Sequence, residues 1–140
     1  MKMAKAIGDC SFFKRLFTES DANRAEAIDE IGILKAYGYT ILLPYPVLYC
    51  VMGTRFKKDP RNISNYNSFI RNYPISLVSE EASWGNNINM LMSHSYGSVA
   101  TPTLADMEVR TIILNDPEID FLLTYDKNKY ADLYQQVQSF

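Results

Sequence analysis

Four short apolar runs punctuate this chain: AKAIG (residues 4–8), TILL (40–43), ISLV (75–78) and FLLT (121–124). Segments of helical character lie between them, and that alternation is the strongest constraint on the fold. A brief, continuously apolar run suits a strand buried on both faces, as in a parallel sheet covered by helices. Strands alternating with helices over the whole length predict one α/β domain, residues 1–140, with a mostly parallel sheet of four to five short strands.

The intervening segments carry their own start and stop signals. A short helix is expected from Cys10 to about Phe17. Asp21 suits the N-cap of a helix over 22–37, with Ala25, Ile28, Ile31 and Leu34 along one side and Gly38 as its stop. Pro44 and Pro46 suit the first turn of a helix running to about Phe56, and Asp59-Pro60 repeats the signal for 60–72. Ser79, Glu80 and Glu81 place negative charge at the start of a helix over 80–95, where the macrodipole favours it. A loop over 97–102, a helix over 103–115, a turn at NDPE and a last helix over 128–137 complete the prediction.

Composition removes several classes of function. A net charge of −2 argues against coating nucleic acid by bulk charge, while leaving room for a local basic patch. No apolar stretch approaches the ~18 residues that span a membrane. The N-terminus has lysines without an apolar h-region, so no signal peptide is expected. Cys10 and Cys50 form no CxxC pair and read as reduced thiols of a cytoplasmic protein. There is no P-loop, GxGxxG or HExxH, and the lone His94 is assigned no role.

Three aspartates stand where apolar runs stop: Asp9 after AKAIG, Asp106 at a helix opening, Asp126 after FLLTY. Each has a purely structural reading. Asp9 and Asp126 precede helices and suit N-caps, and Thr103 to Asp106 has the T-x-x-D form of a capping box. The other reading is a shared site. Carboxyl ends of parallel strands gather on one sheet edge, where α/β folds place ligand crevices. Acids about a hundred residues apart can therefore converge there on one divalent cation.

The order AIGDCSFFKRLF, ILLPYPVLYCVMGTRF, TLADMEVRTII, DFLLTYDKNKY resembles the PIN-domain nuclease family, including its VapC-like toxin ribonucleases. The resemblance runs from the first strand to the last helix and implies a three-layer PIN-like domain. It further implies a magnesium- or manganese-dependent endoribonuclease, RNA as substrate, an antitoxin protein as partner and a homodimer. The family's first, third and fourth acids fall on Asp9, Asp106 and Asp126, with Thr124 as the hydroxyl before the last. Its second acid, a glutamate in a phrase like PxVLxE, falls on Cys50 within PYPVLYCV. That departure leaves a second expectation open, a catalytically silent PIN-like protein serving as a binding or interaction module.

The chemistry explains why acids are wanted. Magnesium and manganese are hard cations that prefer oxygen ligands, and a bound cation acidifies its water and stabilises charge on a phosphodiester. Carboxylates gathered without a cation repel one another. A thiol is a soft ligand and does not replace a glutamate, so Cys50 implies a weakened position unless Glu108 or another acid compensates. Downstream, TRFKKDPR offers Arg55, Lys57, Lys58 and Arg61 as phosphate contacts or, equally, as a solvated helix end. Tyr45, Tyr49, Tyr66 and Tyr73 are expected in the core or an interface rather than as base-stacking platforms.

Overall fold

The computed structural model describes residues 4–79, 84–89 and 103–139. Its five strands are β1 (Lys5–Gly8), β2 (Thr40–Pro44), β3 (Ile75–Val78), β4 (Ile119–Leu123) and β5 (Gln138–Ser139). They form one sheet in the order β3-β2-β1-β4-β5, and every pairing is parallel. The helices are α1 (Cys10–Phe17), α2 (Arg24–Ala36), α3 (Tyr45–Val51), α4 (Thr54–Lys57), α5 (Pro60–Asn72), the helical residues 84–89 (α6) and α7 (Leu104–Asn115). A 3-10 helix, Lys127–Leu133, follows β4.

Burial explains why the apolar runs became strands. In β2 the residues Ile41 to Pro44 are all buried, and in β1 so are Ala6 to Gly8. β3 is an edge strand with no buried residue, paired only to β2. Helix α1 presents Phe12, Phe13, Leu16 and Phe17 to the core. Phe13 stacks on Phe17 at 5.6 Å between centroids, and Phe17 meets Tyr66 edge-on at 5.4 Å. α1 packs on α2, α3 and α5, while α7 packs on β1, β2 and α3. Gly38 has φ +79°, the left-handed conformation in which a side chain would be strained, and it ends α2 as expected.

Some boundaries move. Asp21 does not cap α2; its carboxylate accepts the Asn23 amide at 2.8 Å in the preceding turn, and the helix starts at Arg24. Its buried face is Ala27, Ile31 and Leu34, with Ile28 half-buried beside them and Ala25 exposed. The helix expected to reach Phe56 stops at Val51, and α4 starts after Gly53. Pro44 closes β2 and only Pro46 lies in the first turn of α3. The last helix, expected over 128–137, is replaced by the 3-10 segment and the two-residue β5, which pairs with Phe121 and Leu122. Of the expected helix over 80–95, residues 84–89 are helical; the rest, with the 97–102 loop and His94, lies outside the described residues. No helix among the described residues is long and apolar enough to cross a membrane.

Candidate acidic site at the junction of β1 and β4

β2 and β3 extend to one side of β1, and β4 and β5 to the other. The gap beyond β1 and β4 is therefore where strand order reverses, the position at which open parallel sheets form ligand crevices. Asp9 directly follows β1, and Thr124 directly follows β4. The register Gly8↔Leu123 sets them side by side, and the Asp9 amide donates to the Leu123 carbonyl at 3.1 Å.

Asp9 is 1% exposed. Its Oδ1 accepts the Ser11 hydroxyl at 2.7 Å and the Phe12 amide at 3.1 Å, the second bond being the N-cap of α1. Its Oδ2 accepts the Thr124 hydroxyl at 2.6 Å. Thr124 Oγ1 in turn accepts the Asp126 amide at 3.0 Å, which gives the T-x-D spacing a physical meaning: the hydroxyl ties the backbone of Asp126 to the Asp9 carboxylate.

Asp106 is buried in the first turn of α7 and completes a capping box. Its amide donates to Thr103 Oγ1 at 3.1 Å, and its Oδ2 accepts the Thr103 amide at 3.3 Å. Its other oxygen, Oδ1, accepts the hydroxyl of the fully buried Tyr130 at 3.1 Å. Burial pushes the Tyr130 phenol far up from its ordinary pKa, and the neighbouring carboxylates of Asp9 and Asp106 push it further. It stays a neutral donor to Asp106.

Asp126 is exposed and caps nothing with its side chain. Lys129 instead bridges it to Asp106: Nζ lies 3.3 Å from Asp106 Oδ2 and 3.4 Å from Asp126 Oδ2. Burial lowers the pKa of this ammonium, but the two carboxylates outweigh that and raise it. The contacts thus form one chain, running Asp9, Thr124, the Asp126 amide and carboxylate, Lys129, Asp106 and Tyr130. Arg110, one turn after Asp106 on α7, holds the 3-10 segment in place. It pairs with Asp132 at 2.7 Å and donates to the Lys129 carbonyl.

Cys50 is exposed on α3 and adjoins Cys10, the residue after Asp9. The Cys10 thiol points to the Val47 carbonyl at 3.9 Å, on the preceding turn of α3. Burial pushes the Cys10 thiol up, and the adjoining Cys50, Asp9 and Asp106 add to the rise. Both cysteines are free thiols. Glu108 is fully buried and accepts Asn87 Nδ2 of α6 at 2.6 Å. Among the described residues, no three acidic, histidine or cysteine side chains close into a group that could hold a metal ion.

The basic segment divides. Arg55, Lys57 and Lys58 are exposed around α4, whereas Arg61 is tied to Asp59, Nη2 to Oδ2 at 2.8 Å. Tyr66 and Tyr73 pack against the core as expected, and Tyr49 does not: it is 70% exposed. Sequence reasoning missed Ser11, Lys129 and Tyr130. Ser11 and Lys129 stand two and three residues after acids already singled out, a spacing at which side chains meet locally. Tyr130 carried no such signal, because its partners come from α7 and β1.

No family model matches the chain, and no curated protein matches it. Among solved structures, it is similar to Mycobacterium tuberculosis VapC20, described as a sarcin-ricin loop cleaving toxin. The TM-score is 0.63 at 13% sequence identity, covering 91% of this chain and 94% of that chain. At that identity the likeness concerns the fold. The protein has the VapC-like PIN fold: an all-parallel, five-stranded α/β sheet flanked by helices.

Proposed function

We propose that this protein is a PIN-type endoribonuclease, active on RNA with magnesium or manganese, whose cation site is built by Asp9, Asp106 and Asp126 and weakened by Cys50. The observation that carries the reading is the chain of contacts just described, which joins three acids distant in sequence at the switch point of the sheet. The donor set suits a hard cation: three carboxylates and a threonine hydroxyl are all oxygen ligands. The Lys129 ammonium, already seated between two of these carboxylates, marks where positive charge belongs. Lys129 and Asp126 are half-exposed, with side chains 45% and 50% accessible, so the lysine can swing out and the aspartate can turn in. The bound cation would acidify a water and offset charge on the phosphodiester.

The chain's own residues do the rest. Ser11, Thr124 and the Phe12 amide fix the Asp9 carboxylate in one orientation, and Tyr130 and Thr103 fix that of Asp106. Positions held this way need no rearrangement when the reacting phosphate arrives. Arg55, Lys57 and Lys58 supply phosphate contacts. The likeness to VapC20 supports a toxin role; an antitoxin partner and a homodimer are what the family resemblance of the sequence implies.

Cys50 and the seated Lys129 also favour a second reading, a silent PIN-like module that binds without cutting. Cleavage of a labelled single-stranded RNA with manganese decides between them. The parent should cut slowly and Asp9→Asn at least about a hundredfold more slowly, while Cys50→Glu should cut faster. Cleavage by Cys50→Glu alone supports the silent reading. Equal behaviour of all three contradicts an acidic site.

A further inference from the structure

Cys50 is shared by two clefts that open on either side of it. One, about 340 Å³, is apolar and is walled by Pro46, Tyr49, Trp84, Leu104 and Ala105. The other, about 220 Å³, has Lys14 and Arg55 on its wall with Thr18, Ser20, Phe56 and Asp59, whose carboxylate is paired with Arg61. Lys14 and Arg55 are exposed, and no ion-pair partner faces either among the described residues. The Trp84 indole Nε1 is buried with no hydrogen-bond partner among the described residues, although such donors are ordinarily satisfied. Tyr49, 70% exposed, spends a large aromatic face on solvent at the mouth of the apolar cleft. An aromatic cleft adjoining a cationic one beside an acidic site is the layout of a single nucleic-acid strand, whose flat apolar bases alternate with charged phosphates.

We infer that the two clefts form a binding track for single-stranded RNA, with an unpaired base in the Tyr49–Trp84 cleft and a neighbouring phosphate at Lys14 and Arg55. The track leads the backbone past Cys50 toward Asp9 and Asp106. A base offers a flat face to stack on Tyr49 in a cleft that Trp84 also walls. A duplex keeps its bases stacked internally and cannot enter. The inference rests on the ribonuclease reading for its choice of RNA, but concerns binding alone.

Trp84 is the only tryptophan in the chain, so its fluorescence reports on this cleft. The test titrates the full-length protein in a chelating buffer, where no cleavage occurs, with a short unstructured oligoribonucleotide and with the same strand in a duplex. Affinity is followed by anisotropy of the labelled RNA and occupancy by Trp84 emission. The single strand should quench Trp84 and bind more tightly than the duplex. Tyr49→Ala should weaken binding about tenfold or more, the effect of losing one stacking platform. Tyr37→Ala, equally exposed but remote from the clefts, should change nothing. Lys14→Gln with Arg55→Gln should flatten the slope of log affinity against log salt by about 1.4, two contacts at ~0.7 each. Single-strand binding that leaves Trp84 emission and the Tyr49→Ala affinity unchanged overturns the track while leaving the ribonuclease reading intact. Tighter binding of the duplex also overturns it. Absence of RNA binding overturns both.

Discussion

Asp9 and Asp106 each serve two roles that looked like rivals in the sequence. Asp9 caps α1 through its Oδ1 and meets Thr124 through its Oδ2; Asp106 closes a capping box through Oδ2 and meets Tyr130 through Oδ1. A carboxylate has two oxygens with about four lone-pair positions, so one oxygen can serve the helix while the other faces the site. The helix start then acts as the positioning device. Gly8 shows how tight this corner is: a methyl at its Cα would overlap the edge of the Phe13 ring, which is fully buried between Phe12 and Phe17. Gly8→Ala should therefore lower stability by about 1–3 kcal/mol, the usual cost of overpacking a filled core. Urea unfolding measures it, and an unchanged midpoint would show that the ring moves freely. This requirement was invisible in the sequence, where Gly8 simply ended an apolar run.

At the scale of elements, strand positions were legible because buried parallel strands need little beyond a short apolar run. Helix ends followed where a cap and a proline coincide, as at Asp59-Pro60, and failed where an acid offered several amides, as at Asp21. The segment after β4 was misread because its structure is set from outside. Arg110 of α7 grips Asp132 and the Lys129 carbonyl, and β4 recruits β5, so local helical preference lost to tertiary contacts. A similar long-range tie joins the start of β1 to the turn before β4, where Lys5 Nζ meets Asp116 at 2.8 Å and Glu118 at 3.2 Å. Burial alone would raise the Asp116 pKa, but the hydrogen bonds from Lys5 and the Glu118 amide outweigh it and leave it lowered. A carboxyl with a lowered folded pKa adds stability above its unfolded pKa of about 3.9, and that stability is lost as pH falls through the folded value. Asp116→Asn should thus cost up to about 1 kcal/mol at neutral pH, as expected for a partly exposed pair, and nothing in strong acid. Urea unfolding at pH 7 and at pH 2 checks the sign; a greater loss at low pH would contradict it.

For the whole molecule, the order β3-β2-β1-β4-β5 does most to create a site. It brings the ends of the first and fourth strands together, so Asp9 and Asp126, more than a hundred residues apart, are linked through Thr124 at one edge of the sheet. The sequence suggested which acids could meet. It could not suggest that a lysine and a tyrosine of the same chain would stand among them, since both contacts depend on how the 3-10 segment folds back on α7. On the proposed reading, the site would take a hard cation, would lack one carboxylate at Cys50, and holds the Lys129 ammonium between Asp106 and Asp126. Manganese binding, followed by calorimetry and by the electron-spin signal of the free ion, tests that picture most directly. The protein should bind one ion weakly. Cys50→Glu should tighten binding at least about tenfold by adding an oxygen ligand, and Lys129→Met should tighten it by removing the competing charge. Asp126→Asn should weaken it. Equal affinity in all four proteins, or tighter binding in Asp126→Asn, would contradict the account.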